Sequence, residues 1–140
     1  MQVRKASPED IPAVLALECY AFTDPWGEDV LFSHLNSEHL CFLVCEDGDV
    51  FCGYLLGSRI PPEGEIYRVA THPERLRRGV GRMLCEHFLS DCGEAFLEVR
   101  RSNTAARALY EKLGFSLVGE RRNYYKNPTE DACLYRWDLK

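Results

Sequence analysis

The stretch that most constrains this chain is a strand that runs into a glycine-rich turn and then into a helix. Glu65-Ile66-Tyr67-Arg68-Val69-Ala70-Thr71 is β-branched and aromatic, the composition of a strand. Val80, Met83, Leu84, His87 and Phe88 fall at i, i+3, i+4, i+7 and i+8, the spacing of one helix face. Between them lies Arg77-Arg78-Gly79-Val80-Gly81-Arg82. The first N–H groups of a helix have no partner within it, and glycine lets an anion approach the backbone closely. Arginines on both sides add fixed charge and bidentate donors. The stretch reads as an anion-binding turn; the plain alternative is an ordinary helix start.

The remaining elements follow from periodicity and turn chemistry. Gln2 to Lys5 reads as a short strand, and Ser7-Pro8-Glu9-Asp10 as a helix start with Ser7 as N-cap and Pro8 at the first position. Ile11, Val14 and Leu15 give that helix its apolar face up to about Tyr20. Phe22 to Trp26 is a turn, and a second helix covers Glu28 to Leu35. Cys41 to Glu46 and Val50 to Arg59 form a hairpin around Asp47-Gly48-Asp49, followed by a loop from Ile60 to Gly64. After the glycine turn and its helix come a short apolar strand, Ala95 to Val99, and a helix, Thr104 to Leu113, capped by Ser102 or Asn103. Gly114 stands where a helix commonly ends. Phe115 to Glu120 is a strand, Asn123 to Asp131 a polar loop, and Ala132 to Leu139 a last strand. The order β-α-α-β-β-β-α-β-α-β-β implies one α/β domain over residues 1–140, a mixed sheet with helices on both faces.

With 140 residues the chain can bury a sizeable core. Its net charge of −5 argues against general nucleic-acid binding and favours a cationic substrate away from the basic turn. No run of 18 apolar residues exists, so no membrane span is expected, and Met-Gln-Val-Arg-Lys lacks the apolar core of a signal peptide; a cytoplasmic location is the expectation. The seven cysteines are odd in number, without a C-x-x-C pair or the tight clusters a metal needs. They read as reduced, mostly buried thiols, with no metal expected.

Several residues stand out against this background. Glu98 interrupts the apolar run Phe96-Leu97-Glu98-Val99, either as a general base or as an edge charge paired with Arg100 or Arg68. Tyr110 lies beside the Ala106-Leu109-Leu113 face, either as a core aromatic or as a phenol placed to donate a proton. Tyr124 and Tyr125 are adjacent aromatics in a polar loop, suited to a binding wall or to packing of a hairpin end. Trp26, after Pro25, lines a groove or plugs the core. His72, before Pro73, reads as a solvated loop histidine.

The element order and the Arg-Arg-Gly-Val-Gly turn resemble the GCN5-related N-acetyltransferase (GNAT) superfamily. Leu97-Glu98-Val99-Arg100, Ser102-Asn103-Thr104-Ala105-Ala106 and Leu109-Tyr110-Glu111-Lys112-Leu113-Gly114-Phe115 narrow the likeness, as do Pro25-Trp26 and Arg122-Asn123-Tyr124-Tyr125. Together they resemble the bacterial ribosomal-protein alanine N-terminal acetyltransferases over nearly the whole chain. The resemblance implies a mostly antiparallel sheet of about seven strands and acetyl-CoA as cosubstrate. It makes Glu98 the general base and Tyr110 the general acid. It puts pantetheine along the backbone of Val69, Ala70 and Thr71, pyrophosphate on Arg77, Arg78, Gly79, Val80, Gly81 and Arg82, and a cofactor contact at Asn103. Tyr124 and Tyr125 then pack around the N-terminus of a protein or peptide substrate, with Trp26 lining the groove. Leu76 departs from the Gln or Arg usual at the start of the turn, which weakens phosphate contacts at most because backbone amides do most of that work.

Physical chemistry favours an α-amine acceptor. With reference pKa values of about 7.8 and 10.4, an α-amine is cheaper to deprotonate than lysine by roughly 3.5 kcal/mol near neutral pH. The rival readings are an enzyme of the same cofactor class acting on lysine or a small-molecule amine, and a non-catalytic acyl-CoA sensor, which would need neither Glu98 nor Tyr110.

Overall fold

The computed structural model describes residues 1–139. In chain order its elements are β1 (Gln2–Lys5), α1 (Ile11–Ala21), α2 (Glu28–Asn36), β2 (Leu40–Asp47), β3 (Val50–Ile60), β4 (Glu63–Thr71), α3 (Val80–Leu89), β5 (Glu94–Arg100), α4 (Thr104–Lys112), β6 (Ser116–Tyr125) and β7 (Glu130–Asp138). The strands form one sheet in the order β1-β2-β3-β4-β5-β7-β6. Every neighbouring pair is antiparallel except β4 with β5, whose parallel pairing needs the crossover that α3 supplies. This is the mixed, mostly antiparallel sheet that the sequence implies.

The central strands are covered on both faces, so successive side chains enter different cores. From β2, Phe42 and Val44 pack with Ile11, Val14 and Leu17 of α1 and Leu31 of α2. Leu43 and Cys45 instead join Val80, Leu84 and Phe88 of α3 and Tyr110 of α4. The buried stripe of α3 adds Cys85 and Leu89, whereas His87 turns outward. Six of the seven cysteines are buried; Cys19 is exposed.

Two connections are tighter than the sequence suggests. β3 and β4 extend to Ile60 and from Glu63, leaving only Pro61-Pro62 between them. β6 extends through Tyr125 and β7 begins at Glu130, so most of the expected loop is hairpin strand. β6 is an edge strand exposed at most positions, and it carries no alternation of apolar residues to betray it.

The feature that shapes the site is a bulge. Leu56 pairs with Arg68 and Gly57 with Ile66, which leaves Tyr67 as an extra residue on β4. A bulge bends its strand and adds twist. Ile66 packs on the α3 side, yet Arg68 and Ala70, which would share its face in a regular strand, lie on the side of α1. β4 pairs with β5 only from Glu63↔Glu94 to Ile66↔Leu97. Beyond that point β4 continues to Thr71 and β5 to Arg100 without pairing, and a slot opens between them.

Candidate active site

One side of the slot is backbone. Val69, Ala70 and Thr71 pair with Leu55, Tyr54 and Gly53 of β3 along one edge. Their other edge faces the slot, with N–H and C=O groups free to pair with an extended ligand. After Thr71 a short turn closes with the Glu74 N–H donating to His72 Nδ1 at 3.1 Å. Arg77 then takes φ 65° and Gly79 φ 80°. A left-handed conformation costs a residue with a side chain roughly 1–2 kcal/mol and marks Arg77 as strained. The first bond of α3 runs from the Met83 N–H to the Gly79 carbonyl at 2.9 Å, so the N–H groups of Val80, Gly81 and Arg82 precede the helical ladder. The side chains of Arg77, Arg78 and Arg82 are exposed around them. At Gly81 a Cβ would stand 3.0 Å from Leu109, so glycine here seats the start of α3 against α4. Asn103 caps α4, its side chain accepting from the Ala106 N–H at 3.2 Å, which leaves its amide NH₂ free to donate. These features fit an anionic, extended cosubstrate such as acetyl-CoA.

Glu98 and Tyr110 lie on opposite faces of the sheet. Tyr110 projects from α4 into the α3 core against Phe115 and Tyr135, with ring centroids 5.8 and 6.4 Å away. Burial holds its phenol well above the usual tyrosine pKa, so it carries its proton at neutral pH. On β5, Ala95, Leu97 and Val99 enter the α3 core, which turns Glu98 to the other face. Glu98 Oε1 lies 3.4 Å from Arg121 Nε, and Oε2 is buried with no hydrogen-bond partner among the described residues. Neither anticipated partner is engaged with it: Arg100 pairs with Glu130 and Arg68 with Glu18. A cavity of about 240 Å³ lies over Glu98, lined also by Glu65, Phe96, Val118, Arg121 and Leu134. Burial, then Glu98, raises the Glu65 pKa. The opening is therefore acidic and suited to a cationic group.

The walls above Glu98 are aromatic. Tyr124 is exposed and Tyr125 half-buried, packed edge to face at 5.1 Å. Arg121 lies over Tyr124 and Arg100 over Tyr125. Glu98 raises the Tyr124 pKa, and burial followed by Glu98 pushes Tyr125 up to about 12. Arg100 Nη2 donates to the Lys126 carbonyl at 2.7 Å and lies 3.4 Å from Thr23 Oγ1, so it ties the β6–β7 hairpin to the loop after α1. In that loop Trp26 packs against His34 and Tyr67, at 5.6 and 6.0 Å, rather than in the deep core.

Glu18, Glu65 and Arg121 join the site without standing out in the sequence as functional residues, and Arg68 pairs with Glu18. Glu18 carried a signal: it follows Val14 by four and Ile11 by seven, a carboxylate on the apolar stripe of α1.

A strand-edge slot, a free helix start with left-handed residues before it, and a carboxylate and a phenol on opposite faces of the sheet define a class. Residues 11–115 match the model of the acetyltransferase (GNAT) family. The chain belongs to that family and is an acetyl-CoA-dependent acetyltransferase. It is 36% identical over 135 residues to the [ribosomal protein bS18]-alanine N-acetyltransferase of Salmonella typhimurium, covering 91% of this chain and 90% of that protein. It is 35% identical over 132 residues to the N-alpha-acetyltransferase RimI of Mycobacterium tuberculosis, covering 90% and 84%. The crystal structure of the ribosomal-protein-S18-alanine N-acetyltransferase from Escherichia coli superposes with a TM-score of 0.89 at 29% identity, over 99% of this chain and 94% of that one.

Proposed function

We propose that this enzyme acetylates the N-terminal α-amine of a protein, with the N-terminal alanine of a ribosomal protein as the acceptor, by direct attack in a ternary complex. The likeness to relatives named for that reaction supports the reading. The observation that carries it is the Glu98 carboxylate, with one buried oxygen unpartnered among the described residues, under an acidic opening beside the free edge of β4.

Acetyl-CoA supplies an acetyl group already activated as a thioester. The amides of Val80, Gly81 and Arg82, flanked by Arg77 and Arg78, bind its pyrophosphate with Gly79 shaping the turn; Val69 to Thr71 pair with its pantetheine arm, and the Asn103 amide donates to it. A strand-edge N–H in Val69–Thr71 polarises the carbonyl. Glu98, directly or through a water, takes the proton of the attacking amine. Tyr110 supplies a proton to the departing sulfur. A buried phenol with a raised pKa guarantees a proton in place more than its release, so Tyr110 acts first as a hydrogen-bond donor to that sulfur. Trp26, Tyr124 and Tyr125 wall the acceptor. The Arg100 tie to Lys126 and Thr23 favours a chain end over an internal lysine, because it bridges the two walls beside Glu98.

The test is direct. The protein is incubated with acetyl-CoA and a panel of peptides, and the products are weighed. A peptide with a free N-terminal alanine should gain one acetyl group at that end. Equal acetylation of a peptide with a blocked N-terminus and a free lysine would overturn the reading.

A further inference from the structure

Glu18 is a charged side chain with 0% exposure, and burying a charge is costly. Three donors converge on its carboxylate: the Tyr54 hydroxyl at 2.5 Å, the Trp26 backbone N–H at 2.7 Å and Arg68 Nη1 at 3.3 Å. Buried ion pairs are frequently no better for stability than apolar residues of the same volume, so stability alone does not account for the pair. What its partners share is a place. Arg68 Nη2 donates to the Asp24 carbonyl at 3.0 Å, and the guanidinium stacks on the rings of Phe22 and Trp26, at 4.2 and 4.6 Å. Phe22, Asp24 and Trp26 all belong to the α1–α2 loop. Arg68 itself follows the bulged Tyr67, on the stretch of β4 that borders the slot.

We infer that Glu18 is a positioning residue: with Arg68 it holds the 22–26 loop against the bulged end of β4 and so sets the shape of the acceptor groove. The loop has no cap of its own at this point, since the Trp26 N–H finds its acceptor in Glu18. A neutral or shortened side chain at 18 frees the loop at its Trp26 end, while the pyrophosphate turn and the Val69–Thr71 edge keep their own backbone bonds. The loss should therefore fall on acceptor binding and not on cofactor binding. This inference rests on the acetyl-transfer reading above.

The variants are E18Q, and E18Q combined with R68M so that no unpaired charge remains. Both are made in a W137F background, where Trp26 is the sole tryptophan. Three quantities are read: acceptor KM and kcat with a free-N-terminal alanine peptide, acetyl-CoA affinity by calorimetry, and Trp26 emission with acrylamide quenching. The expected result is an acceptor KM raised roughly tenfold or more, a kcat within about threefold and an unchanged acetyl-CoA affinity. Trp26 emission should move to the red, with readier quenching. Simple loss of folded protein would lower kcat and leave KM and the emission of the folded fraction alone. Unchanged KM and emission in folded variants overturns the inference. Failure of both variants to fold overturns it too, because the pair then holds the whole fold rather than the loop. If the parent acetylates no peptide, the proposed function fails by itself, and the emission readout still decides whether Glu18 positions the loop.

Discussion

The two sides of the slot are built by different means. On the side proposed for the cofactor the available groups are backbone: free N–H groups at the start of α3 and the open edge of β4, with exposed arginines around them. On the acceptor side they are side chains held by other side chains, through contacts that span 36 residues from Glu18 to Tyr54, 50 from Glu18 to Arg68 and 77 from Thr23 to Arg100. Backbone sites depend on local conformation and tolerate side-chain change. Side-chain sites depend on the whole fold and respond to a single truncation. One cosubstrate can thus be kept while the acceptor surface is free to differ.

This contrast can be broken at several points. The largest effect on stability is expected from Arg68→Ala, which strands the fully buried Glu18 carboxylate. Removing one partner of a buried pair costs about 3–5 kcal/mol, to be read by denaturant unfolding. A cost within about 0.5 kcal/mol, the range of ordinary surface changes, would erase the distinction between the two sides. Tyr110→Phe keeps the ring in the α3 core and deletes only the hydroxyl. Turnover should fall roughly 10²–10⁴-fold with acetyl-CoA affinity nearly unchanged; unaltered turnover would return Tyr110 to a packing role.

Glu98→Gln sharpens the comparison through pH. The loss in kcat/KM should be greatest at low pH, where the α-amine is mostly protonated, and partly recover above about pH 8. The parent rate should climb through neutral pH. Because Tyr110 and Tyr125 are both raised, neither phenol should produce a falling limb below about pH 10. A variant profile parallel to the parent's across pH would remove Glu98 as the base. On the cofactor side, Gly79→Pro cannot adopt φ 80° and should abolish measurable acetyl-CoA binding in calorimetry. The smallest effect is expected from Glu86→Ala. It releases Arg82 from an exposed i,i+4 pair at 3.4 Å worth only about 0.3–0.5 kcal/mol, and acetyl-CoA affinity should hold.

The same division explains what was legible in the sequence. The glycine turn and its helix are local, and Arg77 to Arg82 announce themselves by spacing alone. Glu98 is visible because a carboxylate interrupts an apolar strand, yet its neighbour Arg121 comes from a strand two places away in the sheet, beyond any local pattern. Tyr124 and Tyr125 read as loop because β6 is an edge strand with two register shifts and little burial. The bulge at Tyr67 left no mark, since an extra residue in a strand alters neither composition nor polarity.

That bulge can be restated as a counting problem. Seven strands are zipped together, and the zip between β4 and β5 closes for four rungs before one surplus residue throws the teeth out of step. Everything that distinguishes this molecule from an inert sheet depends on the failure to close. Deleting Tyr67 would leave Arg68 and Ala70 on the face opposite Ile66 by simple alternation, but it would straighten β4, draw it back beside β5 and seal the slot with ordinary sheet hydrogen bonds. The result would be a more regular protein with nowhere to put its substrates.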